Sequence, residues 1–186
     1  MGKITVIGIG PGNLLDMTER AKMAIIDAEV VVGYHTYIEL IKPLISDKKI
    51  IGTGMRQEID RCKAAVEAAT TQNVIVISSG DAGVYGMAGL VLEMILNLPE
   101  ENRPSFDVIA GVSAVNAAAA ILGAPLMHDF AIISLSDLMI PWSMIERRVE
   151  TASQADFVIA LYNPKSKKRV KNIEIVQQII LKYRKP

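Results

Sequence analysis

Three glycine-rich turns hold the residues whose types and spacing could do chemistry: Gly8-Ile9-Gly10-Pro11-Gly12, Ser78-Ser79-Gly80-Asp81-Ala82-Gly83-Val84-Tyr85-Gly86 and Gly111-Val112-Ser113-Ala114. Each follows a short apolar run, and a helical pattern follows each, so each reads as a strand-to-helix turn. In an open α/β sheet small ligands bind outside the carboxyl ends of the strands, and glycine lets backbone approach a ligand or another backbone. The central turn carries one acid, Asp81. A carboxylate there repels phosphate and suits hydroxyls, an ammonium or a sulfonium, although locally Asp81 reads equally well as a helix N-cap. Ser113 can cap the helix after it or offer its hydroxyl to a ligand. Leu161-Tyr162-Asn163-Pro164 is a fourth strand end of the same kind.

The first turn resembles a dinucleotide fingerprint, but position 13, where the last glycine of G-x-G-x-x-G would stand, is Asn13. Pro11 also removes a backbone donor, and Gly33-Tyr34-His35 replaces the acid expected after the second strand. A nicotinamide-dependent oxidoreductase is therefore disfavoured. His128 and Asp129 form the one obvious acid–base pair and could shuttle a proton, against the plainer reading of a loop histidine beside a carboxylate. Lys165, Lys167, Lys168, Arg169 and Lys171 crowd the approach to the last helix, where cations are unfavourable with the macrodipole. The run is either a solvated face or a site for an anionic partner rich in carboxylates. Trp142 could face a core or a flat ligand.

The elements that must position these residues alternate. Strands are expected at 4–7, 29–33, 49–52, 73–77 and 106–109, with helices around 18–28, 37–44, 58–70 and 87–98 between them. Either Asp16 or Thr18 can cap the first helix, Asp16 forming a capping-box-like pair with Glu19. On the 58–70 helix, Ile59, Cys62, Val66 and Ala69 mark the apolar face. The order βαβαβαβαβ argues a parallel, doubly wound sheet, and a second lobe begins after Gly111 with helices at 113–122 and 143–155, strands at 130–135 and 157–161, and a last helix through Ile173 and Ile180. The lobes are thus 1–111 and 112–186.

Composition narrows the function classes. With 186 residues, 51% of them hydrophobic, and a mean hydropathy of +0.31, the chain can bury a substantial core. Lys+Arg 20 balance Asp+Glu 20, so no global field draws in nucleic acid or anionic lipid. A single cysteine, Cys62, rules out an intrachain disulfide and a cysteine zinc cluster, and no metal site is expected. No leader pattern or apolar run long enough to span a membrane appears, so the expected home is the cytoplasm.

Together the three turns, at their spacing, resemble the tetrapyrrole methylase family. Val32-Gly33-Tyr34-His35-Thr36-Tyr37, Gly54-Met55-Arg56-Gln57-Glu58-Ile59-Asp60-Arg61-Cys62, Gly123 to Phe130 with Ser134-Leu135-Ser136-Asp137, and Leu161 to Ser166 are similar to one branch of it, which methylates a corrin precursor at ring carbon C17. The resemblance implies two α/β lobes, S-adenosylmethionine as cofactor, a tetrapyrrole substrate and a homodimer. It implies cofactor contacts at Pro11, Ser79, Gly80, Asp81, Val84, Ser113, Ala114, Leu161 and Tyr162. The reaction it implies is methyl transfer coupled to ring contraction on the way to cobalamin. His128 and Asp129 are the candidates for its proton transfers, and Arg56, Lys165 and Lys168 for holding the substrate's acetate and propionate groups. Members of the family usually continue further, so a chain stopping at Pro186 is expected to leave a sheet edge and part of the cleft uncovered. Rival readings are a methylase of this fold acting on a protein side chain or an RNA ribose, the oxidoreductase, and a non-catalytic binding module.

Overall fold

Five short runs rich in valine and isoleucine become the strands of one parallel sheet: β1 (Lys3–Gly8), β2 (Val30–Tyr34), β3 (Lys49–Thr53), β4 (Val74–Ser78) and β5 (Ser105–Ile109). These belong to a computed structural model that describes residues 2–166 and 169–185. The strand order is β3-β2-β4-β1-β5, with Ile4 opposite Val74 and Phe106, and Val30 opposite Lys49 and Val74. Nearly continuous apolar strands are what a sheet covered on both faces requires.

Because side chains alternate across a strand, the two faces take different residues of the same runs. Ile4, Val6, Val30, Val32, Val74 and Val76 pack with Cys62 and Ala65 of α3 (Glu58–Ala68) and Val91 and Ile95 of α4 (Ala88–Leu96). Ile7, Val31, Ile75, Ile77 and Ile109 pack with Ala21 and Ile25 of α1 (Glu19–Asp27) and Ile38 of α2 (His35–Leu40).

The chain divides into two compact units, Met1–Ala117 and Ala118–Pro186, with α5 (Ala114–Ile121) running across the division. In the second unit β6 (Phe130–Ser134) and β7 (Val158–Tyr162) pair in parallel, Phe130 opposite Val158. Helices α6 (Trp142–Gln154) and α7 (Asn172–Ile180) cover them through Ile133, Leu135, Ile145, Val149, Val176 and Ile179. Trp142, half-buried, packs against this cluster. No helix among the described residues is long and apolar enough to cross a membrane.

The structure decides two choices left open by the sequence and corrects one expectation. Thr18, not Asp16, caps α1: its Oγ1 accepts from Ala21 N at 3.2 Å, while Asp16 closes a short 3-10 turn. Asp81 does not cap α4, which starts at Ala88 behind Met87 and without a side-chain cap. The buried face of α3 is rotated from the expected one, since Ile59 is exposed whereas Arg61, Cys62 and Ala65 are buried. On that side Arg61 meets Thr53 Oγ1 and Gly54 O.

Candidate functional site at the strand ends

With β1 between β4 and β5, the three glycine turns emerge side by side. Gly10 and Gly80 exchange backbone hydrogen bonds, N to O, of 3.1 and 2.8 Å, and Ile9 N donates to Ser78 O at 2.9 Å. Glycine at 8 and 111 lets the turns approach this closely. A Cβ on Gly8 would stand 2.6 Å from Gly80 O and 2.7 Å from Gly111 N, and one on Gly111 would overlap Gly80 O and Gly8 O. Backbone approaches backbone here, so the turns leave only their outward surface free.

Asp81 locks the arrangement. Its Oδ1 accepts from Gly83 N at 2.8 Å and Val84 N at 3.1 Å, and its Oδ2 accepts from Gly111 N at 3.0 Å. One carboxylate thus shapes its own turn and ties β4 to the turn after β5. Hydrogen bonds to a charged acceptor are the stronger kind, and three of its roughly four lone-pair sites are used. Tyr85, with φ of +52°, adopts a left-handed conformation in the same turn. Such strain persists where the surroundings over-determine it.

Around this brace Ser79 and Val84 are half-buried, Pro11 and Ala114 are exposed, and the Ser113 hydroxyl donates to Asn116 Oδ1 at 3.0 Å. The first unit therefore gathers Pro11, Ser79, Gly80, Asp81, Val84, Ser113 and Ala114 on one edge. No lysine or arginine stands in residues 8–13, 78–87 or 110–114. That charge balance fits a neutral or cationic ligand such as a sulfonium with hydroxyls and an ammonium, and does not fit a pyrophosphate.

In the second unit Leu161 and Tyr162 end β7, where Leu135 N donates to Tyr162 O at 2.8 Å and Asn163 Nδ2 donates to Ser134 Oγ at 3.0 Å. His128 and Asp129 are exposed between the short helix Pro125–Met127 and β6. Within the basic run, Arg169 is already paired with Asp137 at 3.1 Å. Lys165 is exposed, and Lys168 lies outside the described residues.

Arg56 is exposed in the loop after β3 with φ of +67°. Arg61, in the family-like stretch 54–62 but given no role from the sequence, is only 4% exposed. The available signal is its spacing: Arg61, Ala65 and Ala69 fall on one helical stripe, and both alanines are fully buried. Its neighbour Cys62 is buried too, and burial pushes the thiol up to about 11, the Arg61 charge pulling the other way.

A parallel sheet gathering three cation-free glycine turns around one carboxylate defines an α/β protein with a candidate site at its strand ends. The chain belongs to the tetrapyrrole (corrin/porphyrin) methylases, whose family profile matches residues 3–185. A probable cobalt-factor III C(17)-methyltransferase of Salmonella typhimurium is 54% identical over 89% of this chain and 68% of its own length. A cobalt-factor III methyltransferase of Priestia megaterium is 51% identical over 100% of this chain, which spans 35% of that protein. The crystal structure of the methyltransferase CobJ matches with a TM-score of 0.93 at 37% identity, covering 100% of this chain and 78% of the other.

Proposed function

We propose that this chain carries the S-adenosylmethionine-dependent transfer of a methyl group to C17 of a corrin precursor, cobalt-factor III or precorrin-3B, with ring contraction. The observation that carries the reading is the Asp81-braced, cation-free edge formed by the turns after β4, β1 and β5. The printed activities of the two relatives above, 54% and 51% identical to this chain, support it. Bound there, S-adenosylmethionine supplies an already activated methyl on a sulfonium, so the protein's task is placement.

The residues of this chain divide that task. Asp81, held by three backbone N–H groups, keeps a remaining acceptor site for the ammonium or the ribose hydroxyls of the cofactor. Gly80, Pro11 and Ala114 present backbone surface, while Ser79 and Val84 line the edge. Leu161 and Tyr162 are the contacts assigned to the second unit. Arg56, Lys165 and Lys168 hold the substrate's acetate and propionate groups. His128 and Asp129 handle the proton transfers of contraction. The chain works in the cytoplasm, as a homodimer.

Titration calorimetry with S-adenosylhomocysteine and, separately, with NAD tests this reading. The expected result is binding at about micromolar strength for S-adenosylhomocysteine and none for NAD, with Asp81→Asn weakening the former by roughly tenfold or more. Asparagine keeps the shape but turns one acceptor into a donor, which faces either Gly111 N or the ligand. Unaltered affinity in that variant would remove Asp81 from the site, and heat from NAD alone would reinstate the oxidoreductase.

A further inference from the structure

Arg61 is a buried cation whose partners are all neutral. Its Nε donates to Thr53 Oγ1 at 2.8 Å, one terminal nitrogen to Gly54 O at 3.1 Å, and the other approaches Met87 Sδ at 3.7 Å. The guanidinium carbon lies 6.0 Å from the centroid of the Tyr34 ring. No carboxylate pairs with it among the described residues. A buried charge without a counter-ion is costly, and its retention asks for a compensating role.

Its partners say where that role lies. Thr53 and Gly54 end β3, Tyr34 ends β2, and Met87 closes the Asp81 turn and leads into α4. All stand at the carboxyl end of the sheet. One planar fork thus joins the loop after β3 to the turn of the cofactor edge, a task the five fixed donors of arginine suit and a lysine does not. Gly54 is gripped from both sides, since its N also donates to Gln57 Oε1 at 2.6 Å. Between these grips lies Arg56, exposed and in the left-handed region without being glycine. The Gly54–Gln57 bond closes the loop around it. The exposed His35 ring lies against Gly52 beside it, where a Cβ would overlap His35 Nδ1.

We propose that Arg61 is a positioning residue for an anionic substrate: its fork fixes the loop 53–57 so that the Arg56 guanidinium meets a carboxylate of the tetrapyrrole rim. This rests on the functional reading above and names the residues that would recognise the substrate's acid groups.

The test uses the full chain with uroporphyrin III, a tetrapyrrole bearing acetate and propionate groups, titrated by its absorbance at several salt concentrations. S-adenosylhomocysteine binding is measured on the same samples. Arg61→Met, which keeps volume and removes the charge and the fork, is expected to weaken porphyrin binding about tenfold and to flatten its salt dependence. Arg56→Ala should do the same. The double variant should be no weaker than the poorer single one, because both act through one contact. S-adenosylhomocysteine affinity should stay within about twofold throughout, a split that a merely structural role would not give. Thr53→Val, which cuts one anchor and leaves the charge, should weaken porphyrin binding by roughly threefold, and it carries the test if Arg61→Met does not fold. Wild-type porphyrin affinity in whichever of these variants folds, or fully additive losses for Arg56 and Arg61, overturns the proposal while leaving the methyltransferase reading standing. Failure of the unmodified chain to bind the porphyrin while it binds S-adenosylhomocysteine overturns the substrate class, and this inference with it.

Discussion

At the scale of single residues, burial decides chemistry. Cys62 is fully buried on α3, and its thiol is pushed up to about 11 by desolvation. The sign of the consequence follows from linkage. The folded state holds the thiol proton more tightly than the unfolded state, so this contribution is intact below the ordinary thiol pKa and is lost as pH rises toward about 11. Comparing urea midpoints of the parent and Cys62→Ala from pH 8 to 11 should show the parent losing about 2 kcal/mol more than the variant over the upper part of that range. Parallel curves would mean that the thiol is not desolvated as the packing requires. The same burial leaves Cys62 slow toward disulfide reagents at pH 8. Asp81 illustrates the opposite case, a half-buried acid whose place is set by three backbone donors.

At the scale of elements, the strand ends depend on glycine at particular points. Gly8, Gly80 and Gly111 come from three strand-end turns, and each occupies room that a side chain on its neighbour would need. Gly111→Ala should cost about 3 kcal/mol or more in thermal or urea unfolding, because the added methyl meets backbone oxygens that have nowhere to move. Gly89 on α4 is the control, where an added methyl would find nothing within 4 Å. There alanine should be neutral or stabilising by a few tenths of a kcal/mol up to about 1. Equal effects at the two sites would show that helix propensity, not backbone crowding, governs these positions. A loss of S-adenosylhomocysteine affinity in Gly111→Ala beyond its loss of stability would tie the turn packing directly to the site.

At the scale of the whole molecule, apolar surface remains exposed. Ile121 is 85% exposed, Leu138 80% and Met139 92%, and Leu122 and Met127 are exposed as well. Water-facing side chains of this size, several within one stretch of chain, favour association. The proposed homodimer predicts twice the 20.2 kDa mass in light scattering, and Leu138→Ser with Met139→Ser should shift the equilibrium toward the single chain. A monomer at all accessible concentrations would remove the homodimer from the proposed function.

The sequence by itself determined what is local. Alternating apolar runs set strand and helix, since the periods of 2 and 3.6 are written in residue order. The three glycine turns and Asp81 could be placed at strand ends for the same reason, and the family motifs lie in these stretches. What residue order does not contain is who stands beside whom. The sheet order β3-β2-β4-β1-β5 brings Gly8, Gly80 and Gly111 from over a hundred residues of chain into backbone contact, and only pairing between distant strands could decide it. Only packing showed that the Asp81 carboxylate reaches Gly111 N rather than the first turn of α4. Only packing, again, turned α3 so that Arg61 enters the protein while Ile59 faces water. A helical stripe admits a charged residue when neutral donors and acceptors from other elements wait for it, and those partners, Thr53, Gly54, Tyr34 and Met87, are assembled by the fold.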